Sequence, residues 1–166
     1  YVISASPKAA KAYRLKTLSD LVANAPKLRF GCTTSFTQRK DCLPKMESQF
    51  GIHFKSVLGL EGNIRYQAIA SDKVDVTDAY STDAMTVKVA LVPLKDDLGF
   101  FPPYQAVNLV RKDLFSKNPE IKPVLEKLNN SITTKEMAKM NYDVDIGGKK
   151  ADVVARDFLK SKGLIS

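Results

Sequence analysis

The sequence predicts an α/β fold whose sheet is mixed but mostly parallel. In the first hundred residues, short apolar segments rich in β-branched and aromatic residues alternate with amphipathic helical segments, which is typical of βαβ units. Near residues 95–104 the pattern changes and becomes almost wholly helical. The length of 166 residues is enough for one ordinary domain with a hydrophobic core.

The first half of the chain begins with two short helices. Pro7 lies in the first turn of a helix that extends to Tyr13, and Thr17 with Asp20 forms a capping signal for the next helix, which Pro26 ends. The elements predicted after it are a strand at 28–33, a helix at 46–50 after a polar loop, a strand at 53–57, a helix at 63–72, a strand at 74–80, a short helix ending at 87 and a strand at 89–94.

The second half resembles part of a domain rather than a whole one. The predicted elements are a strand at 106–110 and helices at 119–128, 133–141 and 150–162, the last ended by a glycine. One strand cannot cover the apolar faces of three helices, so we expect the other half of this lobe to lie outside the chain. The chain also opens inside the apolar stretch 1–3, and we therefore expect it to be a piece of something longer.

Composition and charge exclude several classes of protein. Hydrophobic residues are 44% and charged residues 27%, which excludes a disordered tail or a collagen. The 26 Lys and Arg exceed the 18 Asp and Glu, giving a net charge of +8, but the cations are scattered and do not alternate with aromatics. We therefore predict no nucleic-acid partner. No apolar run approaches the roughly 18–20 residues that cross a bilayer.

The chain has few residues suited to catalysis or metal binding. The single histidine, His53, lies in a predicted strand and is expected to be structural or exposed. Cys32 and Cys42 have the wrong spacing for a zinc site and are predicted to be buried free thiols, with a disulfide as the alternative. No glycine-rich phosphate loop is present. We predict that the chain is not an enzyme and has no catalytic residues, metal or cofactor.

Three tyrosines lie at the ends of predicted elements. Tyr80 directly follows a strand, at the sheet edge where α/β folds bind ligands. Tyr104 follows two prolines that restrict its direction, and Tyr1 opens the chain. Electron-rich rings around one point favour a quaternary ammonium ion. Spacing alone favours the alternative that these are half-buried core tyrosines, and that alternative stays open here.

Eight motifs occur in an order that resembles a known family. The two strongest are Tyr-Ser-Thr-Asp at 80–83 and Phe-Pro-Pro-Tyr at 101–104. The other six lie at 17–21, 31–41, 65–69, 94–97, 140–145 and 154–159. Together they run the length of the chain and resemble the substrate-binding protein of the osmoprotectant (glycine betaine, carnitine, choline) ABC importers.

The resemblance implies a two-lobed clamshell of the type II periplasmic-binding-protein class. Residues 1–103 would be the ligand-binding second lobe with the hinge. Residues 104–166 would return to the first lobe, whose N-terminal segment is missing and is an expected partner. An exposed half-lobe is also expected to self-associate artificially.

The resemblance also implies specific site residues. Tyr80 and Tyr104, together with Tyr1, match the tyrosines of a cage around the ammonium group. Arg39 matches an arginine that binds a betaine carboxylate through its guanidinium fork. Thr82 is assigned to the ligand-binding set, where we expect it mainly to orient the Tyr80 loop.

The partners implied are a quaternary-ammonium compound and an ABC permease, either as a separate subunit or as a fused domain. The location implied is extracytoplasmic, with a lipid anchor or a permease fusion. Two departures leave the ligand open: Cys42 and Ala84 stand where relatives commonly have glycine. The segment around Ala84 also resembles the related ergothioneine-importer branch. Ergothioneine binding and ligand sensing without transport are the alternatives.

Overall fold

The computed structural model describes all residues, Tyr1–Ser166, and divides them into two compact units, Tyr1–Pro102 and Pro103–Ser166. The strands are β1 (Val2–Ala5), β2 (Arg29–Cys32), β3 (Ser56–Gly59), β4 (Val76–Ala79) and β5 (Val92–Pro93). The helices of the first unit are α1 (Pro7–Tyr13), α2 (Leu18–Asn24), α3 (Thr34–Gln38), α4 (Leu43–Phe50), α5 (Ile64–Ala70) and α6 (Ala84–Lys88). The helices of the second unit are α7 (Leu114–Lys117), α8 (Ile121–Glu126), α9 (Thr134–Asp145) and α10 (Ala151–Ser161).

The five strands form one sheet in the order β3-β2-β4-β1-β5. β2 pairs in parallel with β3 and with β4, whereas β1 is antiparallel to β4 and to β5. Four strands therefore run in one direction and β1 runs against them, which confirms the predicted mixed, mostly parallel sheet. β1 itself was not predicted as a strand, although the apolar opening at 1–3 was noted.

Two features of this topology determine which residues meet at one edge of the sheet. The carboxyl ends of β2 and β4 lie side by side because the two strands are parallel neighbours. Antiparallel pairing aligns Val2 with Ala79, so continuing the register by one residue brings Tyr1 opposite Tyr80. The beginning of β1 is thus at the same edge as the end of β4.

The core of the first unit is formed by the sheet and the helices on its faces. Its fully buried large side chains include Phe30 of β2, Phe36 of α3, Met46 of α4 and Tyr66 of α5. No buried side-chain nitrogen or oxygen lacks a hydrogen-bond partner. Apart from Val154, every buried apolar residue of the chain lies in this unit.

The second unit contains helices alone, and here one prediction is wrong. The predicted strand at 106–110 does not form, because a strand needs a neighbour to hydrogen-bond with and the unit contains no other strand. Two of its apolar side chains are strongly exposed, Val107 by 80% and Leu109 by 97%. The predicted helices at 119–128, 133–141 and 150–162 correspond to α8, α9 and α10. No helix of the chain has both the length and the apolar character of a membrane span.

Several other elements differ from the predictions in their bounds or in being unpredicted, as α7 was. The strand predicted at 53–57 begins at Ser56, because the Lys55 amide is bonded to a turn at 25–28. The strand at 89–94 reduces to β5, since Ala90 has a positive φ of 50° and closes a turn after α6. The polar loop after β2 contains α3, whose first turn is capped by the Thr33 side chain.

Candidate functional site

Three aromatic rings surround that of Tyr1, and we call the four together the aromatic cluster: Tyr1, Phe36, Tyr80 and Phe101. The Tyr80 ring centroid lies 4.8 Å from that of Tyr1, and the Tyr80 hydroxyl donates to the Tyr1 hydroxyl at 3.2 Å. Phe36 meets Tyr1 edge-on at 5.4 Å, and Phe101 stacks on it at 6.1 Å. These spacings are those of interacting aromatic pairs, so the four rings pack as one cluster, in which Phe36 is buried and Tyr80 is 38% exposed.

The sheet topology explains why these rings converge. Tyr80 is the residue after β4, and Phe36 lies in the helix that follows β2. Tyr1 precedes the antiparallel strand β1 and so reaches the same edge from the opposite direction. Ligands of open α/β sheets bind outside the carboxyl ends of parallel strands, which is where the cluster lies.

The loop at 96–101 positions Phe101. The Asp96 carboxylate accepts hydrogen bonds from the amides of Phe100 and Phe101 at 3.0 and 2.9 Å. The Lys45 ammonium of α4 donates to the Phe100 carbonyl and lies 4.7 Å from the centre of the buried Phe100 ring. A cation–π contact and three hydrogen bonds therefore fix the segment that presents Phe101.

A partly buried polar network holds the turn that bears Tyr80. The Asp83 carboxylate accepts from the Tyr80 amide at 3.3 Å, from the Arg65 guanidinium at 3.1 Å and from the Tyr66 hydroxyl. The Arg65 side chain is only 6% exposed and also donates to the Asp78 carbonyl at 3.1 Å. Because several hydrogen bonds converge on the Asp83 carboxylate, the network restrains the backbone at Tyr80.

Asp78 connects the end of β4 to the start of α3. Its side chain is completely buried and accepts from the Thr33 amide at 3.0 Å and from the Thr33 hydroxyl at 2.8 Å. Burial raises the pKa of the Asp78 carboxyl, and the Thr33 hydrogen bonds and the Arg65 charge oppose that rise. The two elements that present Tyr80 and Phe36 are therefore joined directly beneath the cluster.

Arg39 caps the C-terminus of α3, three residues after Phe36. Its Nε donates to Asp41 Oδ1 at 3.0 Å and its Nη2 to Asp41 Oδ2 at 2.6 Å. Asp41 raises the pKa of the guanidinium further, and the Tyr1 phenol adds a smaller electrostatic contribution in the same direction. The predicted carboxylate-binding group thus has a protein carboxylate on its guanidinium.

The structure brings together only some of the predicted site residues. Tyr1 and Tyr80 are in contact, and Arg39 directly follows the helix that supplies Phe36. Thr82 is half-buried in the 80–83 turn, where the Asp83 amide donates to the Tyr80 carbonyl at 3.0 Å. Tyr104 is 48% exposed and belongs to the second unit, so its place in a cage stays a prediction.

Sequence reasoning missed Phe36, Phe101 and Asp41 as parts of the site. Phe36 and Phe101 both lie inside the motifs at 31–41 and 101–104, so the motifs were a usable signal for them. Asp41 also lies in the motif at 31–41, but its pairing with Arg39 could not be predicted, because that pairing depends on the turn after α3.

The two cysteines of the chain do not form a disulfide. Cys32 and Cys42 are free and buried, as predicted, and burial raises the pKa of the Cys32 thiol to about 12. No group of three or more His, Cys, Asp or Glu side chains is arranged to hold a metal ion.

An open groove of about 450 Å³ adjoins Tyr80, with Val87 and Leu91 on its apolar wall.

Comparison with known proteins identifies relatives over nearly the whole chain. The family model described as the substrate-binding domain of ABC-type glycine betaine transport systems matches residues 2–161. The ergothioneine transport permease/ergothioneine binding protein EgtU of Helicobacter pylori is 36% identical over 99% of this chain, which spans 30% of that protein. The carnitine transport binding protein OpuCC of Listeria monocytogenes is 35% identical over 96% of this chain and 52% of its own length.

Solved structures give the same result. The crystal structure of a glycine betaine/carnitine/choline ABC transporter has a TM-score of 0.82 and 36% identity, covering 99% of this chain and 60% of that one. Apo YehZ from Escherichia coli has a TM-score of 0.68 at 25% identity, with coverage of 99% and 62%. The chain therefore spans at most about three fifths of these relatives.

These matches confirm the predicted fold class and the resemblance noted from the sequence. The family and the carnitine relative are described as transport binding components, so the prediction that the chain is not an enzyme is also confirmed. The match over residues 2–161 shows that the chain belongs to the family of substrate-binding domains of ABC-type glycine betaine transport systems.

Proposed function

We propose that the chain is the ligand-capturing part of an ABC importer for quaternary-ammonium compounds of the glycine betaine, carnitine or choline type. The observation that supports this most directly is the pair of tyrosines, Tyr1 and Tyr80, that meet at the carboxyl edge of the sheet in a chain of this family. Aromatic faces attract a trimethylammonium group without needing a hydrogen bond, at about 0.5–2 kcal/mol per ring.

The ammonium end and the carboxylate end of a betaine need different binding groups, and the proposed site contains a group for each. The aromatic cluster suits the ammonium end. The Arg39 guanidinium suits the carboxylate end, since its planar fork matches two carboxylate oxygens. Tyr104 supplies a further ring in this proposal, and Thr82 supports the turn that presents Tyr80.

The proposed roles of the two units follow the two-lobed architecture of the family. Residues 1–103 act as the ligand-binding lobe with the hinge, and residues 104–166 return to the first lobe, completed by an N-terminal segment. Ligand capture then occurs by lobe closure, which requires the ligand to bind the closed state more tightly than the open state.

A permease is the proposed macromolecular partner, as a subunit or as a fused domain, and the proposed location is outside the cytoplasm. Support comes from EgtU, whose name combines a permease and a binding protein in one chain, 30% of which this chain spans. The same relative favours a second candidate ligand, ergothioneine.

The test is calorimetric titration with glycine betaine, carnitine, choline and ergothioneine. It is run on the chain itself and, in parallel, on the chain joined to the first-lobe segment that its relatives contain. We expect micromolar binding of one compound by the two-lobed protein. Tight binding of ergothioneine alone would favour the second candidate, and no binding of any compound would contradict the ligand class.

A further inference from the structure

The Asp41 carboxylate accepts two hydrogen bonds from the guanidinium of Arg39, the residue that we assign to the ligand carboxylate. Both oxygens of Asp41 are bonded to Arg39, at 3.0 Å to Nε and 2.6 Å to Nη2. This is the two-point geometry in which a guanidinium binds any carboxylate. Asp41 therefore occupies the edge of Arg39 that a betaine or carnitine carboxylate would use, and it neutralises the charge that would attract that carboxylate.

The contact is exposed enough to be exchanged for a ligand. The side chain of Arg39 is 48% exposed and that of Asp41 is 45% exposed. Ion pairs in contact with water contribute little to stability, because water solvates both partners almost as well when they separate. A ligand carboxylate can thus displace Asp41 without disrupting the core, but it must compete with it.

A backbone turn at residues 39–42 holds the Asp41 carboxylate close to the Arg39 guanidinium. The Cys42 amide donates to the Arg39 carbonyl at 3.0 Å, which closes a tight turn and returns Asp41 toward the guanidinium. The Cys42 thiol lies 3.9 Å from Asp41 Oδ1 on the side of the buried core. A carboxylate held at this short range has a high effective concentration, so the Arg39–Asp41 pair reforms whenever no ligand occupies the guanidinium.

We propose that Asp41 determines specificity: by occupying the Arg39 fork, it disfavours ligands that have a carboxylate relative to those that have none. This inference rests on the proposed function of Arg39. A ligand such as choline needs no fork and leaves the Arg39–Asp41 pair intact. Glycine betaine must displace Asp41 or bind close to its negative charge.

The experiment compares the dissociation constants of glycine betaine and choline in the two-lobed protein and its Asp41→Asn variant. We expect glycine betaine to bind about two- to five-fold more tightly to the variant, the range available from an exposed pair, and choline to bind equally or slightly more weakly. Asp41→Ser repeats the test in case the amide distorts the turn.

Asp72→Asn is the matched control. It removes one negative charge from an exposed pair with Lys8, at the opposite end of β4 from Tyr80. We expect it to leave the ratio of the two constants unchanged. The same gain in Asp72→Asn would mean that net charge alone is responsible, which would overturn the proposal.

Arg39→Ala separates this inference from the proposed function. If Arg39→Ala weakens glycine betaine but Asp41→Asn does not change the betaine-to-choline ratio, the role of Asp41 is wrong and that of Arg39 stands. If Arg39→Ala leaves the ratio unchanged, Arg39 does not bind the carboxylate and both proposals fall. In the double variant we expect the effect of Asp41→Asn to disappear.

Discussion

Tyr80 is the single residue on which the proposed site depends most, and it gives the sharpest test at this scale. Replacing Tyr80 by Ala removes a ring that is 38% exposed and in contact with Tyr1. We expect binding of the preferred quaternary-ammonium ligand to weaken by about tenfold or more, because a desolvated cation–π contact is lost. The dissociation constant from titration measures it, and Tyr104→Ala applies the same test to the second unit.

Two comparisons make the Tyr80 result interpretable. Tyr80→Phe keeps the ring but loses the hydrogen bond to Tyr1, so we expect nearly normal affinity. Tyr142→Ala removes a tyrosine of almost equal exposure, 37%, on α9, and should have no effect on binding. Normal affinity in Tyr80→Ala would rule out the cage role.

The sequence alone nominated individual residues for the site but not the contacts that hold them in place. Tyr80 was identifiable because it follows a strand, and Arg39 because it lies in a motif. The network of Arg65, Tyr66 and Asp83 was not identifiable, since its hydrogen bonds join α5 to a turn that only the fold brings close. Local patterns show which residues have useful chemistry, whereas tertiary structure determines what holds them.

At the scale of elements, an ion pair joins the starts of β2 and β4. Arg29 binds both oxygens of Asp75 through its side chain and one through its backbone amide, at 2.8–2.9 Å. The Arg29 side chain lowers the pKa of the Asp75 carboxyl below its ordinary value. The pair therefore stabilises the fold while Asp75 is ionised, above the unfolded-state pKa of about 4, and that stability is lost as pH falls through the lowered folded-state pKa.

Asp75→Asn tests this ion pair. We expect the free energy of unfolding at pH 7 to fall by about 1–2 kcal/mol, a value discounted because Arg29 partly faces water. The difference from the unmodified chain should shrink as pH falls below about 4, as measured by urea unfolding at several pH values. Asp72→Asn should change stability by less than about 0.5 kcal/mol. A loss that did not depend on pH would argue against ionisation as its cause.

Elements with strong local signals were predicted well, and elements that depend on pairing were not. The capping box at Thr17 and the cap at Thr133 are local, and α2 and α9 form where those residues lie. β1 has only four residues and lies between β4 and β5, so its existence depends on partners far along the chain. The strand predicted at 106–110 has the right composition but no partner in its unit.

At the scale of the whole molecule, the two units differ greatly in how much apolar surface they bury. The first unit has a complete sheet and nearly all the buried apolar residues, whereas Val154 is the only buried residue of the second. Hydrophobic burial is the main source of folding free energy. Independent stability is therefore expected of the first unit and not of the second.

Separate expression of residues 1–102 and 103–166 tests that difference. We expect the first fragment to unfold cooperatively in urea with a sigmoidal circular dichroism transition. The second should show a broad, shallow transition, because its helices are short and mostly exposed. The full chain serves as the reference. A sharp transition in the second fragment would contradict this view of its core.

The position of β1 in the sheet has a consequence for the order in which the chain folds. β1 is the first strand of this chain to be synthesised, yet its partners are residues 76–79 and 92–93. Pairing strands that are so distant in sequence closes a long loop of chain. Because loop closure costs conformational entropy, such pairing slows folding. On the ribosome, β1 must remain an unpaired apolar segment until residue 79 has emerged, and its second partner strand is complete only at residue 93. During that interval it is open to chaperones and to aggregation, so the sheet edge that presents Tyr1 and Tyr80 is completed late.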